Sequence, residues 1–272
     1  MRPVLRYRDG KADSQDDALA VEEPLEIRVR GRVVSVTMRT PGHDDELAAG
    51  FLLSEAMISK SDDVVRVEPC DRADGGNVVN AMLEPTVHVD FDKLTRHVFA
   101  SSSCGVCGKA SIDAIHGQFR PIEPSDATID ASLLLQLPAR MHDEQSTFHR
   151  TGGLHAAALF DTHGKLIVLR EDVGRHNAVD KVLGFALINR LLPLARHVLL
   201  VSGRASFEIV QKALAGRVAI VAAVSAPSSL AVEFAEASNQ TLVGFLREGR
   251  MNVYANPRRI RGMAVPAMRP PL

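Results

Sequence analysis

The chain is short of cysteine, of charge of one sign and of long apolar runs, and each shortage removes a class of protein. Three cysteines in 272 residues, Cys70, Cys104 and Cys107, are too few, and odd in number, for a disulfide-stapled scaffold. The 32 basic and 33 acidic side chains nearly cancel, to a net charge of −1. No basic field exists to hold nucleic acid by its phosphates. Apolar runs such as Val218 to Val224 fall far short of the roughly 18 residues that a membrane-crossing helix needs. The opening MRPVLRYRDGKADSQDD has neither the apolar core nor the small-residue cleavage site of a secretory signal. These absences predict a cytoplasmic protein with no nucleic acid and no membrane among its partners.

What is present is enough apolar sequence, 46% of residues, for one large core or two modest ones. Residues 1–20 are polar and charged and predict a flexible tail. EIRVR and RVVSVTMR alternate on either side of Gly31, the pattern of a β-hairpin. PGHDDELAAGFLLSEAMI predicts a helix that starts with Asp44, Asp45 and Glu46 and carries Leu47, Phe51 and Met57 near one face; carboxylates at a helix start oppose its dipole favourably. VVRVEP and NVVNAML…TVHVDF read as further strands, with DRADGGN a turn between them. RPIEPSDATID, with two prolines, marks a boundary. The division expected is a tail over 1–20, a β-rich domain over 21–124 and a second domain over 125–272.

The second half has another rhythm. GLHAAALF and KLIVLRED form a hairpin across DTHG, and a helix follows at about Asn177 to Asn189. HVLLVSG, RVAIVAAVS and TLVGFL are strands separated by helices in SFEIVQKALAG and PSSLAVEFAEASN, and REGR turns into a last strand, MNVYANP. Alternating strands and helices predict a largely parallel sheet with helices on both faces.

Two patterns carry chemistry. The first is SSSCGVCGKASIDAI. Thiolate is the reactive form of cysteine, and a helix start behind it or a lysine beside it, here Lys109, lowers its pKa. The C-x-x-C spacing alone leaves zinc binding, redox chemistry and a chance pair open. Structural zinc needs further ligands, and Cys70, His97 and His116 form no close second pair. The second pattern lies beyond the carboxyl ends of the later strands, where open α/β sheets bind ligands. Those ends carry Asp172 to His176, Ser202 to Ser206, Ser225 to Ser229 and REGR. Helix starts and arginine forks suit phosphate, so Arg175, His176, Ser202, Arg204, Ser225, Arg247 and Arg250 are candidate binders of a nucleotide-like polyanion. Ser202 or Ser228 taken singly reads first as an ordinary helix cap. His155, on an apolar strand, reads more readily as a hydrogen-bonded core group than as a functional one, although the glycines before it permit close approach.

CGVCG at 104–108, TGGLHAAAL at 151–159, REDVGRHNAVDKVLG at 170–184, SGRASFEIVQKAL at 202–214, AVSAPSSLAVEFAE at 223–236 and TLVGFLREGRMNVYANPRRI at 241–260 together resemble the formate dehydrogenase accessory sulfurtransferase family (FdhD type), over about residues 20 to 262. The resemblance implies an α/β fold in which a cytidine-deaminase-like α/β/α C-terminal domain joins a smaller β-rich α+β N-terminal domain. It implies a sulfurtransferase that accepts persulfide sulfur from a cysteine desulfurase. The sulfur passes to the bis-molybdopterin guanine dinucleotide molybdenum cofactor, bound as substrate with GDP as its analogue, for the maturation of formate dehydrogenase. A homodimer is implied as well. The family's persulfide cysteine matches Cys104 first and Cys107 second. Its cofactor-binding stretch matches Phe245, Leu246, Arg247, Glu248, Gly249 and Arg250. Some relatives carry cysteines where this chain has Leu246 and near Gly153, which leaves the 104–108 loop as the dithiol here. The zinc deaminase signature is absent, so a shared fold does not imply deamination. A carrier of the cofactor without sulfur transfer, and a dithiol metal-binding protein, are the alternative readings.

Overall fold

The computed structural model describes residues 1–70, 76–89, 91, 116–124 and 126–263. The expected dithiol loop with Cys104, Cys107 and Lys109, and His97, lie outside these residues.

Where a tail was expected, the chain begins with an antiparallel hairpin of β1 (Arg2–Arg8) and β2 (Lys11–Asp17). Asp9 and Gly10 turn it with φ of 52° and 78°, the left-handed pair that a two-residue hairpin demands. Nearly every residue of both strands is exposed, so no apolar face announced the strands in the sequence. The expected hairpin about Gly31 is β3 (Glu23–Val29) against β4 (Arg32–Arg39). With β5 (Val64–Pro69) and β6 (Val78–Leu83) they form a sheet ordered β4-β3-β6-β5. TVHVDF adds no strand among its described residues 86–89 and 91. The expected helix is α1 (Asp44–Ser54), with Leu47 buried and Met57 beyond its end.

The boundary segment leads into short β7 (Ile129–Asp130), α2 (Ala131–Leu134), α3 (Leu137–Asp143) and α4 (Ser146–Thr151). It is pinned down: Arg217 donates to the carbonyls of Arg120 and Pro121, and β7 pairs with β14 (Ile260–Arg261). Then come β8 (His155–Asp161), β9 (Leu166–Asp172), α5 (Arg175–Ile188), β10 (His197–Val201), α6 (Phe207–Ala215), β11 (Ile220–Ala223), α7 (Ser229–Ala237), β12 (Thr241–Arg247) and β13 (Arg250–Ala255). The sheet order is β13-β12-β11-β10-β8-β9. The expectation of a largely parallel sheet is corrected. Only β10-β11 and β11-β12 are parallel, while β12-β13, β10-β8 and β8-β9 are antiparallel. The cause is the two tight turns, DTHG and REGR, because short connections join only antiparallel strands.

The crossovers through α5, α6 and α7 all step the same way across the sheet, so right-handed connection places these helices on one face. Residues 156–160, 198–201 and 220–223 are all buried, so both faces of the central strands are covered. One continuous hydrophobic cluster runs from Leu25 and Ile27 through α1 and α5 to Leu242 and Ile260. Alpha-helices α1 and α5 cross at two glycines: a methyl group on Gly50 would overlap the Asp180 carbonyl, and one on Gly184 would overlap the Glu46 carbonyl.

Candidate functional site at one edge of the large sheet

Strand register brings five separated segments to one edge. Val201 pairs with both Ala157 and Ala223, and His155 pairs with Asp172. The start of β8, the end of β9, and the ends of β10, β11 and β12 therefore share that edge. Backbone bonds lock the turns together. Ser202 N–H donates to the Ala156 carbonyl, and Ala156 N–H donates to Ser202 Oγ, both at 2.9 Å. Ala205 N–H donates to the Ala226 carbonyl, and Phe245 N–H to the Ser225 carbonyl. A side chain at Gly244 would press on Pro227 and Tyr254, so glycine lets β12 pass close to the turn after β11.

The turn into α5 is held by a buried anion. Asp172 Oδ2 lies 2.7 Å from Lys181 Nζ, with the two side chains 0% and 1% exposed. Asp172 Oδ1 accepts from Gly174 N–H at 2.8 Å and from Asn177 Nδ2 at 3.1 Å. Its Oδ2 accepts from the backbone of Thr40, whose own hydroxyl accepts from Val173 N–H and whose carbonyl accepts from Lys181. The loop after β4 thereby fixes the backbone that presents Arg175 and His176. Two more ties support it: Arg170 grips Glu46 with two bonds, and Lys212 joins Asp180 and Ser54.

Arg175 is a half-buried cation whose Nε is shielded from solvent and has no hydrogen-bond partner. A buried donor left unpaired costs free energy, and an incoming anion would recover it. His176 Nε2 lies 2.8 Å from Glu208 Oε2, although it is not aligned as a hydrogen bond. That contact is the largest of the influences holding the Glu208 carboxyl below its ordinary value. His155 is not the satisfied core group the sequence favoured. It is half-buried, and the position of a methyl on Gly203 would be 3.5 Å from its Nδ1 and 3.8 Å from Arg175 Cδ. Burial, then the charges of Arg175 and His176, push its pKa down, so it is a neutral imidazole near pH 7.

The remaining sequence candidates fall as follows. Ser202 and Ser225 are half-buried and Arg204 is exposed. Phe245 is exposed with φ of 50°. Leu246 is fully buried, so its side chain belongs to the core. Arg247 and Arg250 face each other across the turn at Glu248 and Gly249, all four exposed. Sequence reasoning missed Glu208, which looked like an ordinary first-turn acid, and underrated His155, whose neighbours come from distant segments. Among the described residues no group of three His, Cys, Asp or Glu side chains is placed to hold a metal. Cys70 is free and half-buried. No described helix is long and apolar enough to cross a membrane.

The fold is a mixed α/β sheet that carries polar turns with cationic side chains at one edge, the strand-end position at which open α/β sheets bind ligands. The chain belongs to the FdhD/NarQ family, whose sequence profile matches residues 20–261. It is 52% identical over 266 residues to the sulfur carrier protein FdhD of Streptomyces coelicolor, covering 95% of this chain and 94% of that protein. It is 51% identical over 267 residues to the protein of that name from Mycobacterium tuberculosis, covering 94% and 97%. A crystal structure described as a formate dehydrogenase accessory protein from Desulfotalea psychrophila superposes with a TM-score of 0.77 at 26% identity. That match covers 96% of this chain and 98% of the other.

Proposed function

We propose that the chain is a sulfurtransferase, a sulfur carrier for the maturation of formate dehydrogenase. The observation that carries the reading is the convergence of His155, Arg175, His176 and Ser202 at one edge, with an unpaired guanidinium donor, in a chain whose relatives are named sulfur carriers. A desulfurase persulfide gives its outer sulfur to the Cys104 thiolate. The bond between the two donor sulfurs breaks, a new sulfur–sulfur bond forms on Cys104, and the desulfurase cysteine leaves as thiolate. Cys107, three positions on, serves as a second acceptor. The substrate to be sulfurated is the bis-molybdopterin guanine dinucleotide molybdenum cofactor, with GDP as its analogue. Arg175, Arg204, Arg247 and Arg250 hold its phosphates, and Ser202, whose Oγ already accepts from Ala156 N–H, has its hydroxyl proton free to donate. The protein works in the cytoplasm as a homodimer, with a cysteine desulfurase as donor and formate dehydrogenase as recipient.

The full chain, incubated with a desulfurase and cysteine and analysed by intact mass, gains one sulfur atom. Cys104→Ala reduces the gain and blocks activation of formate dehydrogenase. A chain that gains no sulfur, while Cys104→Ala still supports activation, would be a carrier of the cofactor alone. Zinc bound stoichiometrically by the purified chain would favour the metal-binding reading.

A further inference from the structure

The hairpin of β1 and β2 has no support from the rest of the molecule. Its strands pair with each other and, among the described residues, with no other strand, and nearly every side chain on both is exposed. A lone two-stranded hairpin is marginally stable in water, and three or more strands are needed for lasting order. The two edges of this hairpin differ. The two-residue turn at Asp9 and Gly10 makes Arg8 and Lys11 a hydrogen-bonded pair, and bonded and non-bonded pairs alternate from there along the register. Pro3, Leu5 and Tyr7 on β1, and Ala12, Ser14 and Asp16 on β2, therefore turn their backbone groups outward. The outward row of β1 begins with a proline, which has no N–H to give, and proline on an edge deters pairing. The outward row of β2 is complete: Ala12, Ser14 and Asp16 each present an N–H and a carbonyl, the template that an added strand needs.

We infer that the outer edge of β2 is a joint between two copies of this chain, paired antiparallel about a two-fold axis at Ser14 to make one four-stranded sheet. Charge selects both the occupant and the register. With Ser14 against its own copy, Lys11 stands opposite Asp17, Asp13 opposite Gln15 and Ala12 opposite Asp16, and the two-fold axis repeats each pair. A slide of one step either way sets Asp13 against its own copy or against Asp17, and like charges directly opposite are destabilising. Pairing through the β1 edge about Leu5 would set Arg2 against Arg8 and would lack the Pro3 N–H. Lys11, Asp13, Gln15 and Asp17 share one face of β2. Within each hairpin Arg2 faces Asp17 and Arg6 faces Asp13, so each carboxylate on that face has a cation across from it. Leu5 and Tyr7, 77% and 74% exposed, lie on the other face. A two-fold contact of this kind is self-complementary and stops at two copies. Seven residues a side make a small contact, so association is weak and depends on protein concentration. The inference does not rest on the sulfur reading; it gives the proposed homodimer its point of contact.

Sedimentation equilibrium of the full chain over a range of concentrations reads the joint. The wild type passes from monomer to dimer as concentration rises. Ser14→Pro removes the outward N–H from both copies and spares the bonds within the hairpin, because Ser14 sits opposite Leu5 in a non-bonded pair. It weakens association about tenfold, the size of two lost backbone hydrogen bonds. Lys11→Asp turns two attractions into two repulsions and weakens association about fivefold. Adding Asp17→Lys to Lys11→Asp restores it, a rescue that a merely damaged hairpin would not show. A wild type that stays monomeric overturns the inference, as does association unchanged in either single variant. Failure of the charge swap to restore association overturns it too, since the register would then be wrong. Intact-mass sulfur gain keeps the two readings apart: a chain that associates in this way and gains no sulfur loses the sulfur reading alone, and one that gains sulfur as a monomer loses the joint alone.

Discussion

At the scale of single residues, the site depends on charges placed where water does not reach. Asp172 and Lys181 are both essentially unexposed and 2.7 Å apart. Removing one partner of such a pair strands the other's charge, at about 3–5 kcal/mol, whereas removing both is often far less costly. Asp172→Asn and Lys181→Met are each expected to destabilise by about that amount, and the double variant by less than the sum, as read from urea unfolding. Simple additivity would mean that the two charges do not depend on each other. His155 supplies a pH signature. Its folded-state pKa lies below the ordinary 6.5, chiefly through burial and then through Arg175 and His176, with Asp172 opposing. A depressed folded value means that the neutral form is the stabilised one. That stability is complete above the unfolded value and is lost as pH falls from there through the lower folded value. Melting temperatures taken from pH 8 down to pH 5 should show the wild type losing stability relative to His155→Gln below about pH 6.5, and a bound anion such as pyrophosphate should narrow the difference. Parallel curves would place His155 in ordinary solvent.

Among the elements, the crossing of α1 and α5 is the joint most sensitive to one added carbon. Gly50 and Gly184 let each helix rest on the other's carbonyls. Alanine would favour each helix by about 1 kcal/mol on propensity alone, but overpacking costs about 1–3 kcal/mol or more. Here the obstacle is backbone rather than a flexible side-chain tip, so packing wins. Gly50→Ala should lower the denaturation midpoint, with a net loss of about 2 kcal/mol, and Gly184→Ala should do the same. A rise in stability would mean that the helices lie farther apart. The same elements show what a sequence can reveal. Every strand from β8 to β13 and the three helices α5, α6 and α7 were legible, because each carries an apolar run bounded by glycine, proline or serine. The β1-β2 hairpin was not, since its residues face solvent on both sides and alternation carries no apolar contrast. The sheet was misjudged as largely parallel because strand–helix alternation dominates the pattern, while two short turns decide the edges. Of the site, Arg175, His176 and Ser202 were legible as polar residues at strand ends. Glu208 was not, because its meaning comes from His176, which the fold places beside it.

For the whole molecule, the question is whether the N-terminal half and the C-terminal half fold as one body. Length and the proline-bearing stretch at 120–130 suggest two units, and chains of this size often unfold in steps. Packing argues for one. The apolar cluster passes without a break from the β3-β6 sheet through α1 and α5 into the large sheet. Polar ties cross the same junction: Arg170 with Glu46, Thr40 with Asp172 and Lys181, and Ser54 with Asp180 and Lys212. A half that detached would expose the glycine faces of both helices and leave Lys181, Asp172 and Glu46 short of partners, so neither half gains by melting alone. Tyr254, half-buried on β13, and Tyr7, exposed on β1, are the only two tyrosines in the chain. In a Tyr7→Phe variant, tyrosine fluorescence reports on the C-terminal half alone, while far-UV circular dichroism reports on all the secondary structure. The two probes should trace one urea transition with one midpoint, and Gly50→Ala should shift both midpoints equally. Separate midpoints would show that the α1–α5 joint is a contact between independent domains. In that case each half would stay folded after the chain is cut at the 120–130 segment, and a single cooperative body forbids that cut.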